Sequence, residues 1–445
     1  MSLQKKEPPG SLRFVRSAFL QATSDTSSQY FYDGLAVLGH DGRILQIGPA
    51  DAVAKASGID LSQIEKLDGL ILPALYDMHF HWVQDDVRDM PKESLLEWLN
   101  KYTFTAEAKF ADREYAKRKA AFFWNRILAT GTIGGLCYSS IHEVALEEAL
   151  KVAPEGFLIG NVLMTMECPE YLRQTEAEAA EVVARCAERF GKRYVATPRF
   201  APTTAPAVMQ AASRAANTAG CFQQTHLGET HPEIEWVLGI YRQLPGYENV
   251  QTYTEIYERV GMLGPKTVFG HCLHLEASEW ELLAQSNCII ASCPTSNAPV
   301  EMRGIGSGLF DFKTAESYGV RWGLASDIGG GPHLSMFDVM ASFVLQNHAA
   351  GVSEATRVKA LYRSTAINAE LMGAGEVKGK LSAGYDFDAI RLPVDQDTLE
   401  TGDAEEILKH VLEGCFDRAE YDSLVIETIV EGRSRFLKDG FTSAL

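Results

Sequence analysis

The chain has 445 residues, 46% of them hydrophobic and 22% charged, enough for one large α/β domain with a smaller companion. Its 59 acidic against 41 basic side chains leave a net charge of −18, which argues against nucleic acid or an anionic membrane as partner. No apolar run approaches the roughly 20 residues that span a bilayer, and Met1 to Glu7 lack the apolar core of a secretion signal. The eight cysteines are scattered, with no Cys-x-x-Cys pair. Several of them (Cys221, Cys272, Cys288, Cys293) sit in apolar strand-like runs, a pattern that fits reduced, buried thiols in a cytoplasmic protein.

In chain order, the first seventy or so residues read as β structure. Apolar runs at 35–38 and 44–47 flank Gly39-His40-Asp41-Gly42, a hairpin signal. From about Leu72 strands alternate with helices. Strands are predicted over 71–81, 132–138, 157–162, 194–200, 221–227, 267–272, 288–293 and 320–327, with helices such as 114–128, 176–190, 206–219 and 276–285 between them. Eight such units make an α/β fold of the (β/α)8 TIM-barrel kind the economical solution. Helices near 335–348 and 354–371 follow, and the Gly379–Gly384 stretch leads into an apolar strand over 386–392 that returns to the N-terminal β region. The expected organisation is a barrel over 71–375 and a discontinuous β-sandwich domain over 1–70 and 376–445, built from both chain ends.

Barrels of this kind carry their chemistry at the C-terminal ends of the strands. Four predicted strand ends hold His79 and His81, His226, His271 and Asp327. Alternate residues of a strand face the same way, so the His-x-His pair can aim both imidazoles at one ion. A lone histidine is more often a packed or surface residue, and His40, His142, His231, His274, His333, His348 and His410 take that plainer reading. Five metal-type residues in barrel order are poorly explained by chance. His79, His81, His226 and Asp327 can hold one zinc per chain, with iron as the alternative metal, and leave room for water. Zinc lowers the pKa of bound water from about 15.7 to about 7. Asp327 can touch the metal and accept the proton of the attacking water. His271 either joins the shell or hydrogen-bonds the water. Glu229, three residues after His226, can sit beside the metal and protonate a ring nitrogen of the substrate. At the fourth strand's end stands Arg199.

The segments His79-Phe80-His81-Trp82-Val83-Gln84, Leu95-Leu96-Glu97-Trp98-Leu99-Asn100-Lys101-Tyr102-Thr103-Phe104, Thr197-Pro198-Arg199-Phe200, Cys293-Pro294-Thr295-Ser296-Asn297 and Gly306-Ser307-Gly308-Leu309-Phe310 carry a resemblance. The chain resembles the amidohydrolase superfamily and, within it, is similar to the guanine deaminases. The resemblance covers nearly the whole barrel and implies hydrolysis of guanine to xanthine and ammonia. It also implies that Gln84, Arg199 and Phe200 form the purine pocket and that the protein is a homodimer. An Arg fork suits the O6 and N7 acceptors of guanine, a Phe face suits its ring, and Gln offers a donor and an acceptor. The chain departs from the family pattern at Ala74 after Pro73, at Thr230, in Gly131-Thr132-Ile133-Gly134-Gly135, and in an inserted stretch over 298–305 at the pocket mouth that contains Glu301 and Arg303. Other amino-heterocycles, such as 8-oxoguanine, a pterin or an aminotriazine, are the alternative substrates. A non-catalytic scaffold on the same barrel is a third reading, opposed by the retention of all five metal-type residues and Glu229.

Overall fold

The computed structural model describes residues 12–413 and 418–445, so Met1 to Glu7 and Cys415 lie outside the described residues. The strands, in chain order, are β1 (Arg13–Ala22), β2 (Ser28–Leu38), β3 (Ile44–Pro49), β4 (Lys66–Pro73), β5 (Leu75–His81), β6 (Thr132–Ser139), β7 (Gly156–Leu163), β8 (Val195–Pro198), β9 (Phe222–Leu227), β10 (Thr267–His271), β11 (Ile289–Ser292), β12 (Arg321–Leu324), β13 (Ala389–Leu392), β14 (Glu427–Val430) and β15 (Arg433–Leu437). They form a seven-stranded sheet in the order β15-β14-β13-β4-β1-β2-β3 and an eight-stranded sheet running from β12 to β5. Two compact units result: of the described residues, one contains those up to Tyr76, Ile127–Ile133 and those from Val352 onward, the other Asp77–Arg126 and Gly134–Gly351.

In the seven-stranded sheet both faces are apolar. Alternation along β2 sends Ala36 and Leu38 to a cluster with Val15, Phe19 and Ile71. Leu35 and Val37 point the other way, onto Val53 and Ala54 of the helix Ala50–Ser57. The predicted hairpin is present, with β2 and β3 antiparallel. The single strand expected over 71–81 is instead two. Pro73 has no N–H to continue a ladder; the Ala74 N–H goes to Asp388 and the Leu75 N–H to the Gly131 carbonyl. The helix expected over 354–371 is also split, into Arg357–Ser364 and Ala366–Leu371. At the break the Thr365 hydroxyl bonds back to the Leu361 carbonyl, an alternative to helix continuation that threonine offers.

The eight-stranded sheet is a TIM barrel with helices between its parallel strands. Two backbone hydrogen bonds join β5 to the segment just after β12, from Asp327 N to the His79 carbonyl at 2.8 Å and from His81 N to the Ile328 carbonyl at 2.6 Å. Phe80, between the paired histidines, turns outward onto Phe123, Trp124 and Phe157, with ring centroids 6.0, 6.1 and 5.9 Å away. Seven cysteines are described, and all are free and buried. No helix of the described residues is long and apolar enough to cross a membrane.

Candidate active site

With Phe80 outward, Asp77, His79 and His81 of β5 face inward and are buried. The His79 ring centroid stands 5.2 Å from His81, 4.7 Å from His226 and 5.3 Å from His271. His226 lies one residue before the end of β9, and His271 ends β10. Gly270 makes this closeness feasible: a Cβ there would lie 2.7 Å from a ring carbon of His79. The Tyr138 ring floors the cluster at 4.6, 4.4 and 4.9 Å from His79, His81 and His226. Asp327 lies three residues past β12, not within the predicted strand, and has φ 48°. His271 has φ 71°, so two of the five metal-type residues hold the left-handed backbone that non-glycine residues avoid unless their surroundings impose it.

Asp327 Oδ1 lies 3.4 Å from His79 Nε2 and 3.3 Å from His81 Nε2, and Oδ2 accepts from Ser296 Oγ at 2.6 Å. His79, His81 and His226 each bring a ligand atom within 4.8 Å of the others, and His79, His271 and Cys293 form a second such group. Both ring nitrogens of His79, Nδ1 of His81 and Nε2 of His271 are buried without a hydrogen-bond partner. Unmet polar atoms at such a density are costly, and a metal ion among the rings satisfies one nitrogen of each imidazole it binds. His226 Nδ1 meets the Arg199 carbonyl at 2.7 Å, which assigns it the proton and leaves Nε2 to ligate. Burial pushes the His81 imidazole down to about 3 and His226 well below its ordinary value, so both stay in the neutral, ligating form. The donor set of imidazoles and one carboxylate at a barrel rim fits zinc.

Glu229 is buried beside this cluster, its Oε2 3.5 Å from His271 Nε2. Its Oε1 accepts from Ser307 Oγ at 3.0 Å and from Asn297 Nδ2 at 3.3 Å. Burial, and then the neighbouring Asp327 charge, push its carboxyl up to about 8, where it holds a proton near neutral pH. Asn297 and Ser307 fall in motifs singled out in the sequence, but nothing there gives them this role.

A cavity opens onto the cluster. Gln84, Arg199 and Phe200 line it with Trp98, Leu99 and Ile305. The strand predicted over 194–200 stops at Pro198, so Arg199 and Phe200 stand just past its end. Arg199 is not a free fork: its Nη1 donates to both oxygens of buried Glu107 at 2.8 Å, and Gln84 Nε2 donates to the same carboxylate at 2.8 Å. The sequence reading missed Glu107, whose nearest motif residue is Phe104. Of the inserted stretch, Ile305 lines the cavity while Glu301 and Arg303 do not; Arg303 pairs with Asp89. His274, read as an ordinary histidine, bonds the Ser307 carbonyl through Nε2 at 2.9 Å and so braces the residue that holds Glu229.

Residues 70–435 match the model of the amidohydrolase family. The chain belongs to that family. Among curated amidohydrolase relatives, a guanine deaminase of Escherichia coli K12 is 31% identical over 398 residues, covering 85% of this chain and 87% of that protein. A guanine deaminase of Rattus norvegicus is 28% identical over 399 residues, 84% of this chain and 85% of that one. The solved structure of the E. coli guanine deaminase superposes with a TM-score of 0.83 at 27% identity, covering 96% of this chain and all of that chain.

Proposed function

We propose that this amidohydrolase deaminates guanine, giving xanthine and ammonia, with one zinc per chain held by His79, His81, His226 and Asp327 and with His271 in or beside the shell. The observation that carries the proposal is one buried cavity onto which both the imidazole–carboxylate cluster and the Gln84, Arg199 and Phe200 side chains open. The guanine deaminases among its relatives support the same substrate. Bound zinc supplies a nucleophile at neutral pH by lowering the pKa of water to about 7. Asp327 would accept the proton of the attacking water and pass it to the amine, which leaves as ammonia. Glu229 would give a proton to the ring nitrogen beside the carbon under attack and recover one as the added hydroxyl becomes the carbonyl. Phe200 offers its face to the purine ring, and Arg199 and Gln84 read its polar edge. A homodimer in the cytoplasm completes the proposal, and sedimentation velocity checks the assembly.

The deciding experiment measures ammonia release on guanine, adenine and 8-oxoguanine with protein purified without chelator, alongside elemental analysis. The expected result is turnover of guanine, an inert adenine and about one zinc per chain, the occupancy a single tetrahedral-type site holds. No activity on guanine would sink the substrate assignment while leaving the hydrolase.

A further inference from the structure

Glu107 does not line the cavity, yet it organises two side chains that do. Its Oε1 accepts from Gln84 Nε2 and from Arg199 Nη1, each at 2.8 Å, and its Oε2 accepts from Arg199 Nη1 at 2.8 Å. A carboxylate only accepts, so the Gln84 amide has a single orientation, with Nε2 toward Glu107 and Oε1 free. Among the described residues no donor engages Gln84 Oε1 and no acceptor engages Nε or Nη2 of Arg199. The guanidinium is further located by the Phe104 ring, 5.3 Å beneath it. Because both heads bond the same Glu107 oxygen, an acceptor on Gln84 and donors on Arg199 are held side by side.

We propose that Glu107 is a positioning residue that sets this polarity and makes the pocket a reader of the cyclic lactam unit, in which a ring N–H adjoins a ring C=O. The N–H donates to Gln84 Oε1 and the C=O accepts from Arg199. Guanine carries this unit at N1 and C6, pterins carry it too, and adenine presents the opposite pattern at both atoms. The inference rests on the deaminase reading of the site and names the substrate class that reading admits.

The test measures kcat and KM for guanine and for 2-aminopurine, which keeps the amino group at C2 but lacks the lactam. Wild-type protein, Glu107→Gln and Glu107→Asp are compared at matched zinc content. A site built to hydrogen-bond a group rejects analogues lacking it by about 10⁴, so wild type is expected to favour guanine by about 10³ or more in kcat/KM. Glu107→Gln is expected to cut that preference at least about tenfold, through a higher KM for guanine, because the Gln84 amide regains its second orientation. Glu107→Asp, which keeps the carboxylate, restores part of it. An equal loss on both substrates, or an unchanged preference, overturns the proposal. If neither variant folds, the wild-type preference decides: about 10³ or more upholds the lactam reader, and less overturns it. Absence of guanine turnover removes only the guanine reading, and the same comparison is then made between pterin and its lactam-free counterpart, 2-aminopteridine.

Discussion

At Glu229 a single carboxyl sits between the imidazole cluster and the cavity, held by Ser307 and Asn297. Replacing it by Gln keeps the shape and those contacts but removes the transferable proton. Glu229→Gln is therefore expected to keep zinc and purine binding and to lose about 10²–10⁴ in kcat; near wild-type turnover would make Glu229 a bystander. Arg199 invites a sharper expectation than an exposed binding residue would. It and Glu107 form a buried pair, with side chains 3% and 0% exposed, so Arg199→Ala leaves a carboxylate without its cation. Loss of one partner of such a pair costs about 3–5 kcal/mol. Guanine turnover should fall while zinc stays, and urea denaturation should report the lower stability. Unchanged stability would show that Glu107 finds another partner.

Between elements, the chemistry depends on how β5 meets the segment after β12. Asp77 shares the inward face of β5 with His79 and His81, and its Oδ1 accepts from the backbone of Ser326 at 3.0 Å and of His79 at 3.2 Å. The Ser326 hydroxyl also donates to it. The carboxylate thus ties the His-x-His strand to the segment that carries Asp327. Asp77→Ala is expected to weaken zinc binding about 10–100-fold, the usual effect of removing a group that orients metal ligands. Competition with a chromogenic chelator measures this, and an unchanged affinity would leave Asp77 a purely structural tie. Sequence patterns reveal the His-x-His end of β5, His226 and His271, because strand alternation and barrel order are local properties. They do not reveal Glu107, which meets Arg199 across 92 positions of the chain and stands in a helix with no periodic mark of its own. They also do not reveal that Pro73 divides one run between two sheets, since the residues on both sides of the break are buried.

For the whole molecule, zinc is expected to be a stabiliser as well as a reagent. A ligand that binds only the folded state adds about 4 kcal/mol at a free concentration a thousand times its Kd. Stripping the metal should lower the Tm and readdition should restore it, followed by calorimetry; a Tm indifferent to chelator would count against a resident ion among these buried imidazoles.

The seven described thiols add a reporter to this. All are buried, and burial raises every one of them, Cys288 to about 11 and Cys186 to about 12, so in the native state little thiolate exists and no reagent reaches it. They are spread from Cys137 to Cys293. In a Cys415→Ala background, the rate at which a disulfide reagent consumes sulfhydryls becomes a clock for opening of this region. That clock should run faster once zinc is withdrawn, which makes loss of metal visible as chemistry at sulfur.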